Sequence, residues 1–358
     1  MKLSLDHDHT LPTGVLGLAM TPDGGRAFAA CADGSILAVD PTSGETQVFD
    51  GRHQSFASGC VLLPDGRTLI SGGYDGMLLW HDIATGACWR RVQAHQFWNW
   101  RIALSPDGKR LATVTGQYLP GGWKYEPAPE EEPSVKVFDT ATGDRVAAFT
   151  HTPPVLSCAF SPDGRHLAAG NLMGDVRVWD LADEAAGENH DGAATWNSPD
   201  FTCWGYTKTH HYCGGIYSLA FAPDGESLLG CGMGPMRDPM AGNGKMTWQR
   251  WNWRNGEKLD EIKEGQHGSG LMETLAWRPD GAYFVMAGRQ AQGTWNAAVF
   301  SASDGNLAAS VDTKKRITQA LFTSEGTSLL VSGATGQPAR KDGQWDAWGR
   351  LQVYRVNE

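Results

Sequence analysis

The sequence predicts an all-β protein, a seven-bladed β-propeller with four antiparallel strands per blade, in which the N-terminal strand closes the last blade. Three observations carry this expectation. A turn glycine recurs at Gly24, Gly66, Gly108, Gly164, Gly225, Gly281 and Gly326, and Pro-Asp precedes it at six of the seven. The end of each third strand keeps the same count: Val39-Asp40, His81-Asp82, Phe138-Asp139, Trp179-Asp180, Trp251-Asn252, Phe300-Ser301 and Tyr354-Arg355. Between such markers the chain alternates apolar and polar residues at a strand period, with no amphipathic helical stretch of useful length.

The stretch from His151 to Asp180 shows the unit in its most regular form. Two alternating runs flank the turn Ser161-Pro162-Asp163-Gly164, and a third run, Val176 to Asp180, follows a short connection. A small four-stranded sheet exposes two apolar faces and can bury neither alone. Radial packing of repeats covers both and leaves only short, protected edges. The seventh repeat stops after its third strand, whereas residues 1–9 read like the fourth strands Arg90 to His95 and Val146 to His151. Residues 1–9 are therefore expected to supply the missing outer strand, making residues 1–358 a single domain.

Trp179-Asp180 spells a dipeptide that the other repeats keep only in degenerate form. On this dipeptide, the repeat length and the turn spacing, the chain resembles the WD40-repeat family over nearly its whole length. The resemblance implies that the histidines at or beside the fourth-to-first strand turn, His9, His53, His95, His151, His211 and His267, hydrogen-bond within their own blades. It also implies protein interaction as the common role.

Composition agrees with a fold of many turns, since 45 residues are glycine. A formal charge of −10 is the wrong sign for a nucleic-acid binder. Met1-Lys2 opens into strand-like alternation instead of a secretory leader, and no apolar run approaches a membrane span, so a cytoplasmic location without membrane contact is expected. The seven cysteines lack CxxC spacing and read as reduced core residues.

Five insertions elaborate the repeats, at 116–134, 182–202, 232–245, 288–296 and 333–349. The second falls between third and fourth strands if Cys203-Trp204 resumes the sheet as Cys88-Trp89 does. The other four join second to third strands, on the side opposite the Pro-Asp-Gly turns. That side is the expected working face, because function tends to live on loops mounted on a rigid frame.

Alignment of first strands yields three columns. Leu18, Cys60, Ile102, Cys158, Leu219, Leu275 and Leu321 form an apolar core column. The preceding one, Gly17, Gly59, Arg101, Ser157, Ser218, Thr274 and Ala320, is small throughout except for Arg101, which must pair with a carboxylate such as Glu273 or reach the channel opening. The one before that, Leu16, Ser58, Trp100, Leu156, Tyr217, Glu273 and Gln319, suits a channel rim. Aromatic residues beyond the third-strand core gather on the expected face: Trp98 and Trp100 beside Phe97, Tyr118 and Trp123 in the first insertion, Trp295, and Trp345 with Trp348. They serve either as binding anchors or as local cores of long loops. Arg289, Lys315 and Arg316, with Arg237, Lys314, Arg340 and Lys341, form a basic sector suited to an acidic peptide segment or a small anion, unless they are ordinary solvated charges.

Two function classes compete. The first is a non-catalytic scaffold or adaptor gripping a protein or peptide through the loop-bearing face, with candidate contacts Trp98, Trp100, Arg101, Tyr118, Trp123, Tyr217, Glu273, Arg289, Lys315, Arg316, Trp345 and Trp348. The second is a lactonase- or hydrolase-like propeller enzyme acting at the channel mouth. A hard-metal site needs several converging oxygens, and the rim column offers only Glu273 as a carboxylate. The chain has no G-x-S-x-G elbow and no H-E-x-x-H, while Gly242-Asn243-Gly244-Lys245-Met246 lacks the upstream glycine and the hydroxyl of a phosphate loop. The scaffold is the expectation, with no cofactor, no metal and no catalytic residue assigned.

Overall fold

The computed structural model describes residues 1–117, 132–182, 194–204, 212–234, 244–262, 269–336, 340–341 and 344–357. Among the described residues the elements are strands, apart from one turn of 3-10 helix at Pro199–Phe201. Tyr118, Trp123 and Arg237 lie outside the described residues, as do His211 and His267.

Contacts group the chain into two compact units, residues 1–93, 276–290 and 294–358 in one and residues 94–275 with 291–293 in the other. The first unit holds a sheet of Val15–Met20, Ala27–Cys31, Ile36–Val39 and Thr46–Val48, and another of Ala57–Leu62, Thr68–Gly73, Met77–Asp82 and Cys88–Gln93. In both, chain order is sheet order. Its last sheet departs from chain order, running Lys2–Leu11, Gly349–Asn357, Ser328–Ala334, Arg316–Phe322. The N-terminal strand is antiparallel to Gly349–Asn357, from Lys2 opposite Asn357 to Leu11 opposite Gly349, with one bulge between Leu5 and His7. Leu3, Ile317, Phe322, Leu329, Val331 and Tyr354 pack with Val285 and Val299 in one buried cluster.

The second unit repeats the pattern in Arg101–Leu104, Arg110–Val114, Val135–Asp139 and Arg145–Phe149. Val155–Phe160, His166–Asn171, Asp175–Asp180 and Ala194–Asn197 follow, then Ile216–Phe221, Leu228–Met233, Gly244–Asn252 and Glu257–Glu261. The fourth strand after Asp180 is thus Ala194–Asn197, with Val178 opposite Ala194 and Asp175 opposite Asn197, and not the segment at Cys203-Trp204. Cys203-Trp204 belongs instead to a separate two-stranded ladder, Thr202–Trp204 with Tyr212–Gly214, on the way to the next sheet. Identity to Cys88-Trp89 was the misleading signal. Pairing is decided by which segment reaches the open edge, and Ala194–Asn197 does so first.

All seven turn glycines sit at φ between 62° and 75°, Gly326 included although Ser-Glu replaces Pro-Asp before it. Asp23 shows what the usual aspartate does there: its carboxylate accepts the Gly25 N–H at 3.0 Å, closing the turn that needs a left-handed residue next to it.

First strands carry a feature that alternation does not show. The register slips by one residue between Val15 and Gly17, Ala57 and Gly59, Val155 and Ser157, Ile216 and Ser218, and Ile317 and Gln319. The skipped residues, Leu16, Ser58, Leu156, Tyr217 and Thr318, are bulges that re-aim a side chain. The last member of the rim column is therefore Thr318, not Gln319; Gln319 and Ala320 then take the places assigned above to Ala320 and Leu321.

Three of the turn histidines bond within their own sheets, whereas His9 lies in the N-terminal strand and its Nε2 is 2.8 Å from the Pro41 carbonyl, beside a different sheet. His53 Nε2 lies 2.9 Å from Ser71 Oγ and its Nδ1 2.9 Å from Asp75, while His95 Nε2 lies 2.7 Å from Thr113 Oγ1. At His151 the Thr152 N–H donates to Nδ1, so Nε2 carries the proton and points at the Asp175 carbonyl 3.3 Å away. Its ring also meets the edge of Trp179 at 6.2 Å. Burial, with Arg177 adding to it, drives the His151 pKa down to about 3, and burial beside His53 drives His81 down to about 4.

Each of these imidazoles is neutral in the folded chain and gains a proton more readily when unfolded. Their stabilising effect is complete above the unfolded value of about 6.5 and is lost as pH falls toward the folded values. Denaturant titrations between pH 6.5 and 4.5 should show unfolding free energy dropping by about 1.4 kcal/mol per pH unit for each histidine involved. His151→Gln should flatten that slope, and a slope unchanged in the variant would show that His151 is not responsible.

Candidate functional site

Within the second unit, inner strands converge on Arg101. Its Nη2 donates to the Tyr217 carbonyl at 3.2 Å and to the Glu273 carbonyl at 3.0 Å, contacts spanning 116 and 172 residues of chain. The planar guanidinium suits this, because several donors in one rigid fork can bridge two strands at once. Neighbouring positions of the same column make similar links with smaller groups: Ser157 Oγ donates to the Ile216 carbonyl at 2.8 Å, and Ser218 Oγ accepts the Leu275 N–H at 3.1 Å. In the first unit the column closes further, since a Cβ on Gly17 would stand 2.5 Å from Gly59 Cα.

Glu273 is buried, 8% exposed. Two buried thiols register the charge around it. Burial raises the Cys158 pKa to about 12 against the opposing pull of Arg101, and raises Cys231 as well, with Arg101 lowering and Glu273 raising it. A guanidinium, a carboxylate, two thiols and the half-buried Tyr217 thus form one buried polar centre. Its visible bonds hold strands together.

Above it stands an aromatic step. Trp100 is half-buried, donates its indole N–H to the Gly116 carbonyl at 2.9 Å, and packs against the cluster around Val155 and Trp179. Trp98 meets Trp100 edge-on at 5.2 Å and stacks on Phe97 at 5.0 Å, yet stays 41% exposed. Between them Asn99 is fully buried, and neither of its amide atoms has a hydrogen-bond partner among the described residues. The start of the first insertion is held beside this step by Thr115, whose hydroxyl donates to the Trp98 carbonyl at 2.8 Å.

The far end of that insertion is pinned by charge. Glu132 accepts from Lys136 Nζ at 2.5 Å and from the Gln96 N–H at 2.7 Å, while Lys136, 7% exposed, also donates to the Ala94 carbonyl. Although burial opposes it, bonding from His95 and Lys136 holds the Glu132 pKa down to about 2. Breaking a buried pair by removing one partner leaves the other charge uncompensated. Glu132→Gln should cost about 3 kcal/mol in urea denaturation, and a loss below about 1 kcal/mol would show a solvated pair.

Of the remaining candidates, Arg289 and Arg316 are exposed and Lys315 is half-buried, its carbonyl accepting from Asn296 Nδ2 at 2.6 Å. Trp348 is half-buried against the backbone at Gly14, where a Cβ would touch its ring at 2.7 Å. Trp345 pairs through its backbone with Arg340, and its side chain lies outside the described set. Trp295 is not a surface anchor: it is 4% exposed and set edge-on to Phe300 at 6.1 Å. Among the described residues two exposed aromatics escaped the sequence reading, Trp89 and Phe56. Phe56, 48% exposed and 5.6 Å from Tyr74, occupies the repeat position that Trp98 occupies one repeat later. Extending the column alignment two residues upstream would have found it.

Comparison with known proteins adds the decisive observation. The family "WD domain, G-beta repeat" matches residues 45–82 and 143–180. Each match starts at a fourth strand and ends at the third strand of the following sheet, at Asp82 and Asp180. The chain carries WD40 repeats at these two positions. It is similar to the target of rapamycin complex subunit wat1 of Schizosaccharomyces pombe, 29% identical over 34% of this chain and 35% of that protein. It is also similar to rat apoptotic protease-activating factor 1, 25% identical over 65% of this chain and 16% of that one. Bovine transducin beta-like protein 3 is 32% identical over 41% and 15%. The chain therefore spans no more than 35% of these three relatives. Among the described residues of this WD40 chain, no helix is long and apolar enough to cross a membrane.

Proposed function

We propose that this WD40 protein is a non-catalytic scaffold that binds a protein partner through the face carrying its second-to-third and fourth-to-first strand connections, in a single ring of seven blades. The observation that carries the reading is the Phe97-Trp98-Trp100 step, an exposed tryptophan braced by two buried or stacked aromatics on a connection tied down by Thr115. A rigid, half-exposed aromatic loses little conformational freedom on binding, which is what makes tryptophan a frequent anchor. The relatives support the class of role, since one is by name a subunit of a complex.

The buried polar centre favours the same reading. Arg101 is committed to strand carbonyls, so it serves as a positioning residue that keeps the aromatic step in place. The basic sector of Arg289, Lys315 and Arg316 gives the partner its chemistry, an acidic segment, and predicts binding that weakens with salt. Neither a nucleic acid nor a membrane is part of the proposal.

The experiment is affinity of the co-purified partner for the intact protein and for Trp98→Ala, Phe56→Ala and Trp345→Ala combined with Trp348→Ala. A hot-spot loss of about 2 kcal/mol, roughly 30-fold, is expected at Trp98. If every variant folds and binds as the parent does, the face has been misassigned.

A further inference from the structure

We propose a second protein-docking surface on the outer edge of the sheet that ends in Cys88–Gln93, where Trp89 and Arg91 receive an acidic partner segment carrying an apolar side chain. It is separate from the connection face and does not rest on that reading.

The fourth strands carry a bulge that alternation hides. Trp80 pairs with Arg90 and His81 with Cys88, so Trp89 is passed over in the ladder. Val146 is skipped in the same way between Arg145 and Ala147, and Leu259 between Lys258 and Asp260. A skipped residue is re-aimed out of the ladder. All three are exposed, Trp89 at 51%. Lone aliphatic residues such as Val146 and Leu259 are ordinary on a protein surface and call for no partner. An indole in that position exposes far more apolar area.

The indole is also held in place. The Arg90 guanidinium lies 4.7 Å from the centre of the Trp89 ring and 5.6 Å from that of Trp80, which is fully buried. Two cation–π contacts thus tie the exposed ring to the core. A ring already fixed has little freedom left to lose when a partner covers it.

Charge says what that partner is. The chain as a whole carries −10, yet Cys88–Gln93 holds two arginines and no carboxylate. The outer strand that exposes Leu259 is the opposite case, with Glu257, Asp260 and Glu261. Arg91 is exposed, and the connection at Gly51 leans on its strand, since a Cβ there would stand 2.3 Å from Cys88 Cβ and 3.1 Å from Arg91 Nη2. Burial raises the pKa of the half-buried Cys88 thiol; against it Arg91 pulls down more strongly than Asp50 pushes up, so the local field is positive. Exposed tryptophan beside arginine is the composition of a binding hot spot. A cationic rim draws an acidic segment and rejects a basic one.

Strand addition is not the mode of docking. A bulge and two adjacent arginines break up the even row of N–H and C=O groups that an added strand would need. The segment instead docks through side chains, its apolar group on the bare side of Trp89 and its carboxylates toward Arg91.

Fluorescence anisotropy of the intact protein tests this with three fluorescein-labelled probes: a peptide of one leucine flanked by glutamates, the same peptide with lysines for glutamates, and an oligothymidine. Saturable binding of the acidic peptide alone is expected, weakening as salt rises. Trp89→Ala should weaken it about 10-fold or more, and Arg91→Glu should abolish it. Both variants should keep the parent's urea midpoint, because both side chains are exposed. Val146→Ser, at the matching bulge of another outer strand, should bind as the parent does. The connection face is read by other variants, so either surface can fail alone. The proposal is overturned if the acidic peptide does not bind, if the lysine peptide binds equally well, or if Trp89→Ala and Arg91→Glu bind as the parent does. Loss of oligothymidine binding at Trp89 would overturn it in favour of base stacking. Self-association of the two variants with peptide binding unchanged would show that the bulge and arginines only guard an edge.

Discussion

A chain lacking residues 1–11 is expected to lose most of its stability and to aggregate. The deletion removes a strand paired over its whole length with Gly349–Asn357 and leaves that strand as an open edge, a template for pairing with other chains. It also removes Leu11, fully buried beside Val15, Leu330 and Leu351, and Leu3, 9% exposed against Tyr354 and Leu329. Each buried leucine is worth about 2 to 5 kcal/mol on truncation, so the pair alone approaches the whole stability of a typical domain. Leu11→Ala isolates the packing part and should cost about 3 kcal/mol in urea denaturation. Leu5→Ala is the internal comparison: Leu5 is 51% exposed on the same strand and should cost less than about 0.5 kcal/mol. Equal losses at Leu5 and Leu11, or a truncated chain that stays monomeric and cooperative, would contradict the closure.

Gly17→Ala is expected to be nearly as severe. The new Cβ would lie 2.5 Å from Gly59 Cα and 3.2 Å from Cys60 N, all of it backbone that no rotamer change can clear. Two inner strands must move apart, and an overpacked core costs about 1 to 3 kcal/mol or more. Gly66→Ala separates this from backbone conformation, because Gly66 sits at φ 62° with nothing within 4 Å of its built Cβ. That variant should lose only about 1 kcal/mol, the penalty of a left-handed residue. If Gly66→Ala proves the worse of the two in thermal and urea unfolding, the column of small residues is not a packing seam.

Much of the architecture could be read from spacing because its determinants are local. Pro-Asp-Gly places a left-handed residue where a hairpin needs one, and alternation sets which side chains face inward; both are properties of a few consecutive residues. The expectation for the turn histidines came from the family resemblance, and the structure gives it a spacing, His53 to Ser71 and His95 to Thr113. Reading went astray at the last repeat and at the fourth strand after Asp180. The last repeat's column was set one residue late, at Gln319, whereas the offset from the turn glycine in the other six repeats leads to Thr318, the residue at which the register slips. The fourth strand after Asp180 was sought at Cys203 because two residue types matched, although Ala194–Asn197 reaches the edge earlier.

The candidate site divides along the same line. Trp98 and Trp100 drew notice by type and position, but the split between them, one exposed anchor and one indole tied to Gly116, depends on how the connection folds back over Val114 and Thr115. Arg101 was conspicuous among small residues, yet a carboxylate was the natural partner to expect. Its acceptors include two main-chain carbonyls more than a hundred residues away, which no side-chain pattern announces.

The amino-acid sequence by itself determined the strand units, their turns and the residues each sheet turns inward, because period and turn chemistry act over a handful of neighbours. Which sheets lie against one another and which inner strands share Arg101 were decided only in the tertiary structure. Those contacts join segments brought together by packing, and packing depends on the whole of each surface and not on any one stretch of chain.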